Sequence, residues 1–258
     1  MSTDERSINW YNEHANDYTA HVRNPDDSIY HSLYEKPAMY SLLPDLEGMT
    51  VISLGCGSGE DSNYLRTHGA VKSVGIDISA RLIDIARTSY PDCEFQIGDM
   101  EHLDLPDNSF DFTYSSLAIH YIEDWRQVFK EVYRVLRPNS YFLFSCNHPI
   151  YSAMEVVSDD KTTKKAELSR SRDKNTNSVT IVGDYMTHKS IEAVNSELAV
   201  TTWHKPIGEI ATEASEAGFL IADIKEPVPL PKMQELSPRD YDTLVKIPNF
   251  VIFKLFKP

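Results

Sequence analysis

The run Val51-Ile52-Ser53-Leu54-Gly55-Cys56-Gly57-Ser58-Gly59 constrains this chain more than any other stretch. A short β-rich segment passes directly into three glycines at alternate positions, and helical spacing follows. Glycines at a strand-to-helix turn let the backbone turn sharply and approach a ligand that a side chain would keep away. A dinucleotide turn of the form G-x-G-x-x-G presents its helix N-terminus to a pyrophosphate. Here Glu60 follows Gly59, and a carboxylate in that place is poorly matched to phosphate. The turn therefore predicts a cofactor without phosphates and with positive charge of its own.

The region around this turn, residues 50–147, alternates β-rich runs with helical periodicity, the pattern of a parallel sheet covered on both faces. Strands are predicted at 51–54, 71–76, 93–97, 110–115 and 141–145. Ser79 caps a predicted helix carrying Leu82, Ile85, Ala86 and Tyr90. The clearest helix covers 124–136, where Trp125, Val128, Phe129, Val132, Val135 and Leu136 form one apolar stripe behind Asp124. Residues 158–178 hold almost no large apolar side chains and read as a mobile loop or lid. Segments 179–186 and 198–203 read as two strands of an inserted antiparallel piece. A helix starting at Pro206 and ending at Gly218, then strands at 219–224 and 250–256, complete the pattern.

Two carboxylates stand where such a sheet binds ligands. Asp77 ends the second strand about 20 residues after the glycines, where an acid accepts hydrogen bonds from ribose hydroxyls. Asp99 follows the third strand beside Met100, so one can bond an adenine amino group while the other packs on the ring. Either acid alone is an ordinary solvated loop residue; their joint placement at successive strand ends points to a nucleoside site.

With these motifs in order, the chain resembles the class I S-adenosylmethionine-dependent methyltransferases of the small-molecule group. Leu54-Gly55-Cys56-Gly57-Ser58-Gly59 resembles the family's glycine motif, Gly75-Ile76-Asp77-Ile78-Ser79 its ribose-binding strand end, and Gly98-Asp99-Met100-Glu101 its adenine motif. The stretch from Phe110 through Ser115, Ser116 and His120 to Tyr121 resembles its fourth-strand motif. One departure is Pro138-Asn139-Ser140, where the family usually has two glycines after proline; Asn139 tolerates the left-handed backbone such a turn needs. The resemblance implies S-adenosyl-L-methionine as cofactor, held by Tyr11, Tyr18, Gly55, Cys56, Gly57, Gly59, Asp77, Ile78, Asp99, Met100, Ser115 and Ser116. It also implies an α/β, doubly wound, Rossmann-like sheet of seven strands in the order 3-2-1-4-5-7-6, the last antiparallel. The implied organisation is an N-terminal cap over 1–48, a cofactor-binding core over 49–148, an inserted lobe or lid over 149–204, and completion of the core over 205–258.

For the acceptor, three histidines draw attention. His120 lies just past the fourth strand, His148 just past the fifth, and His204 follows the inserted strands. An imidazole titrates near neutral pH, so His120 or His148 is a candidate proton acceptor, with His204 a candidate wall of the same pocket. Tyr11, His14, Ala15 and Tyr18 share one face of an N-terminal helix, which either covers the cofactor or packs plainly on the core; Tyr11 is a further catalytic candidate.

Composition narrows the partners. A chain of 258 residues, 41% hydrophobic, supports one substantial core with an insertion. A net charge of −14 disfavours nucleic acid, whose binding draws on clustered Lys and Arg; the run from Lys161 to Lys174 reads as a solvated loop. No stretch is apolar enough to span a bilayer and the first residues are polar, so a soluble cytoplasmic protein is expected. Cys56, Cys93 and Cys146 are spaced for neither disulfides nor metal, and no metal is expected. The leading reading is methyl transfer to O, N or C of a small molecule. Methylation of a tRNA wobble base, a non-catalytic S-adenosylmethionine-binding module and an NAD-linked oxidoreductase are the alternatives.

Overall fold

The computed structural model describes residues 3–158, 164–194 and 199–258. In chain order the elements are α1 (Glu5–Glu13), α2 (Ala15–Arg23), a π-helical turn (His31–Glu35), α3 (Lys36–Tyr40), β1 (Thr50–Leu54), α4 (Glu60–Thr67), β2 (Lys72–Asp77), α5 (Ala80–Ser89), β3 (Glu94–Ile97) and β4 (Phe110–Ser115). A 3₁₀ turn (Ile119–Tyr121), α6 (Trp125–Val135), β5 (Leu136–Asn147), α7 (Pro149–Ser152), β6 (Glu155–Ser158), β7 (Lys164–Glu167), β8 (Ser169–Arg172), β9 (Val179–Val182), β10 (Lys189–Val194) and β11 (Ala199–His204) follow. The chain closes with α8 (Ile207–Glu216), β12 (Leu220–Lys225), α9 (Pro231–Leu236), α10 (Pro238–Leu244) and β13 (Phe250–Lys257).

One sheet organises the molecule, in the order β12-β13-β5-β4-β1-β2-β3. β1 runs parallel to β2 and β4, and β4 parallel to β5. β13 inserts between β5 and β12, antiparallel to both. This is the seven-stranded order and antiparallel closure that the motifs implied. The central strands β1 and β4 are buried along nearly their whole length because helices cover both faces. On one face α6 lays the buried side chains of Trp125, Val128, Phe129, Val132 and Val135 against Phe142, Phe144 and Phe253. On the other, Val51, Phe112, Tyr114, Leu143 and Ile252 pack with Met39 and Leu65. Caps match their sequence signals: the Asp124 side chain accepts from Arg126 N, and the Ser79 side chain from Leu82 N. Asn139 takes φ +60°, the left-handed turn expected of it.

The inserted region differs from its sequence reading. Residues 158–178 were expected to form a loop, yet Lys164–Glu167 pairs with Glu155–Ser158, and Ser169–Arg172 with Val179–Val182; 159–163, Lys161 included, lie outside the described residues. The ribbon β8·β9 is exposed along nearly its whole length, so its backbone ladder forms it rather than burial of an apolar face. The segments at 179–186 and 198–203 do not pair with each other. β9 pairs with β8, and β11 with β10, a strand the periodicity gave no sign of; Leu198 lies outside the described residues. No described helix is long and apolar enough to cross a membrane.

Candidate active site

A crevice opens at the carboxyl ends of β1, β2 and β4, where the strand order reverses, and encloses about 740 Å³ of space continuous with solvent. Gly55 makes its floor at φ +62°, and a Cβ there would stand 2.2 Å from the Cβ of Ala118. Only glycine satisfies both demands. Gly57, at φ +53°, faces the Tyr18 ring across ordinary contact distance. Asp77 lies alongside: one carboxylate oxygen accepts from Gly57 N at 2.8 Å, the other from Ser79 N at 2.8 Å. Burial raises its pKa, while the N–H groups of Ser79, Gly57 and Ile78 work against that rise. Three backbone N–H groups thus fix this carboxylate in the crevice wall. Gly98, Asp99 and Met100 continue the wall at the end of β3.

At its other end the crevice is closed by the chain's beginning. Asn12 Oδ1 accepts from Ser79 Oγ at 2.9 Å and from Arg81 N at 3.2 Å, tying α1 to the start of α5. Ser7 Oγ accepts from Thr201 N at 3.0 Å, tying α1 to β11. So anchored, Thr3, Ser7, Ile8 and Tyr11 face Leu117, Ala118 and Tyr121. The hydroxyls of Tyr11 and Tyr121 lie 2.6 Å apart, and their rings meet edge to face at 5.6 Å. Burial raises the pKa of Tyr11, Tyr18 and Tyr121, so all three are neutral phenols.

A second chamber, of about 860 Å³, shares Tyr18, Gly55, Gly57 and Ser116 with the first. Its chemistry is different. Lys36 donates to Asp61 and, at 2.9 Å, to Ser116 Oγ; Tyr40 donates to Asp61 at 3.2 Å. Burial alone would lower the Lys36 pKa, but the Asp61 and Glu35 carboxylates outweigh it and hold the ammonium above its usual range. Glu35 is fully buried, with Oε1 accepting from Ser116 and Ser145 and Oε2 lacking a hydrogen-bond partner among the described residues. Burial raises its pKa. Both residues stand where a π-helical turn gives way to α3, a backbone irregularity frequent at functional sites.

The structure brings Tyr11, Tyr18, Gly55, Gly57, Asp77, Ile78, Asp99, Met100 and Ser116 to the first crevice. Cys56 lines only the second chamber. Gly59 turns away, since a Cβ there would press on Phe95 at 2.8 Å, and the Ser115 hydroxyl is sealed within the sheet. None of the three histidines is among the crevice-lining residues. His120 is buried, its Nδ1 accepting from Asn147 N at 3.3 Å, and burial lowers its pKa to about 3. His148 caps α7 through Nδ1 and meets Glu226 at 3.1 Å through Nε2. His204 bridges Ser152 and the carbonyl of Tyr185. Sequence reasoning did not single out Lys36, Asp61 or Glu35. Tyr121 was quoted only as part of a motif.

A doubly wound sheet with a glycine turn and strand-end carboxylates at its switch point defines a nucleoside-binding α/β enzyme domain. Residues 52–144 match the methyltransferase domain family. The structure is similar to that of an S-adenosylmethionine-dependent methyltransferase from Mesorhizobium loti, at 28% identity and a TM-score of 0.71, over 89% of this chain and 99% of that one. A malonyl-[acyl-carrier protein] O-methyltransferase of Yersinia pestis is 37% identical over 98 residues, 38% of this chain and 36% of that enzyme. A probable phthiotriol/phenolphthiotriol dimycocerosates methyltransferase of Mycobacterium ulcerans is 29% identical over 75% of both chains. Over residues 52–144 the chain carries a methyltransferase domain on the class I fold, and its cofactor is S-adenosylmethionine.

Proposed function

We propose that this enzyme moves a methyl group to a small-molecule acceptor that meets the donor between the N-terminal segment and the Leu117–Tyr121 stretch. The observation carrying this reading is the single crevice that joins Gly55, Gly57, Asp77, Asp99 and Met100 at one end to Thr3, Ser7, Tyr11 and Tyr121 at the other. When bound, the donor supplies an electrophilic methyl on a sulfonium. Asp77 would accept the ribose hydroxyls, while Asp99 and Met100 would take the adenine edge and face. The second chamber suits the donor's zwitterionic amino-acid end: Lys36 offers a cation for its carboxylate, while Asp61 offers an acceptor for its ammonium. The protein's contribution is to hold acceptor and methyl in line and keep water out.

By their names the relatives methylate a malonyl-[acyl-carrier protein] and phthiotriol/phenolphthiotriol dimycocerosates, and neither name specifies a nucleic acid. The acidic chain argues against a polyanionic partner. The test is calorimetry with S-adenosylmethionine, followed by incubation of a metabolite extract with the enzyme and isotopically labelled donor. One saturable donor site and label in a compound below about 1 kDa are expected. No labelled small molecule from that extract, with label appearing in RNA or protein when a whole-cell extract replaces it, would refute the reading.

A further inference from the structure

We propose that the acceptor atom is a carboxylate oxygen and the product a methyl ester. The inference rests on the methyl-transfer reading above and narrows its substrate. The titratable side chains lining the crevice are Asp77, Asp99, Tyr11, Tyr18 and Tyr121. Asp77 and Asp99 stand at the nucleoside end, each already accepting a backbone N–H: Asp77 from Gly57 and Ser79, Asp99 from Glu101 at 2.9 Å. At the acceptor end, among the described residues, the polar groups are the hydroxyls of Thr3, Ser7, Tyr11 and Tyr121. His120 lies outside the crevice lining with Nδ1 on Asn147 N, while His148 and His204 spend both ring nitrogens, on Ile150 with Glu226 and on Ser152 with Tyr185.

An alcohol or phenol acceptor must lose its proton as the new bond forms, so a positioned base is needed. A carboxylic acid, with a pKa near 4, is already ionised at neutral pH. The hydroxyl lining suits that anion. Only one O–H of the Tyr11–Tyr121 pair is consumed by their mutual bond, which leaves the other to donate, and Thr3 adds a hydroxyl to the lining. The step balances without a proton transfer. The carboxylate oxygen forms its bond to the methyl carbon as the carbon–sulfur bond breaks; that electron pair stays on sulfur, and anion plus cation give a neutral ester and a neutral thioether.

Methyl esters are cleaved by mild alkali to methanol, whereas N-, C- and ether-linked methyls are not. The wild-type enzyme, first shown by calorimetry to bind S-adenosylmethionine, is incubated with methyl-labelled donor and both a metabolite extract and a panel of short and long carboxylic acids. Label that becomes volatile methanol after alkali, with a rate independent of pH from about 6 to 9, is the expected result. Alkali-stable label, or no label in any acid while the donor binds, overturns the proposal. Failure of the donor to bind would instead strike the methyl-transfer reading itself. Tyr121→Phe supplies a second readout: removing the hydroxyl raises KM for the acid about tenfold and leaves the donor's Kd within about twofold. Equal losses in both would assign Tyr121 to packing.

Discussion

Replacing Gly55 with alanine tests the geometry on which the crevice depends. The residue sits at φ +62°, and an alanine held there costs about 1–2 kcal/mol. Its methyl would stand 2.2 Å from the Ala118 Cβ, and relieving such overpacking costs about 1–3 kcal/mol more. Together Gly55→Ala loses roughly 2–5 kcal/mol, or about 4–20 °C in Tm for a chain of this size. The two costs separate by experiment. Ala118 has ordinary backbone angles, φ −117°, so Ala118→Gly is mild by itself. In the Gly55→Ala background it removes the clash and leaves the left-handed strain. Urea denaturation of the four proteins of the cycle should give a favourable coupling of about 1–3 kcal/mol between the two substitutions. Donor affinity should recover with it, because both residues line the crevice. Coupling below about 0.5 kcal/mol would mean that β1 and the Ala118 loop do not meet as described.

Three further outcomes follow from named contacts. Asp77→Asn should weaken S-adenosylmethionine binding at least tenfold by calorimetry, since hydrogen bonds to a charged acceptor contribute about 1.5–3 kcal/mol; unchanged affinity removes Asp77 from the site. Lys36→Met strands the Asp61 and Glu35 carboxylates in a largely buried setting and should cost about 3–5 kcal/mol in urea, with donor affinity falling as well; adding Asp61→Asn should restore part of the stability. His120 has a folded pKa near 3 against about 6.5 unfolded, so the unfolded chain binds the extra proton and stability falls as pH drops below 6.5. Between pH 7 and pH 5 the loss from this group is about 2 kcal/mol, His31, lowered to about 4, adds to it, and His120→Asn should flatten the slope by about that amount.

Much of the sheet was legible because its signals are local. The glycine turn, the Ser79 and Asp124 caps, and the apolar stripe of α6 each lie within a dozen residues and act through neighbours in the chain. The inserted ribbons were illegible for the complementary reason. β8 reads Ser-Arg-Ser-Arg and buries no apolar face, so its pairing with β9 leaves no hydrophobic period to detect. The histidines misdirected attention because position at a strand end says nothing of where a ring points. His148 and His204 are held by Glu226 and Ser152, residues 78 and 52 positions distant.

The chamber beside the crevice was hidden by the same kind of distance, and its construction explains why it belongs to the site. Leu117 lines the crevice at φ +49°, a conformation costly for a non-glycine residue, which persists only where its surroundings impose it. Its N–H donates to Ser145 Oγ at 3.0 Å, and Ser145 in turn donates to Glu35 Oε1 at 2.6 Å. Ser116, the neighbour of Leu117, donates to the same oxygen. One buried carboxylate from the N-terminal segment thus braces the ends of β4 and β5 together. The π-helical turn at His31–Glu35 sets that carboxylate in place while Lys36, one residue later, reaches Asp61 at the start of α4. The glycine turn makes one wall of these two chambers; the other is brought to it from residues 3–40, by polar contacts that span 21 to 194 positions.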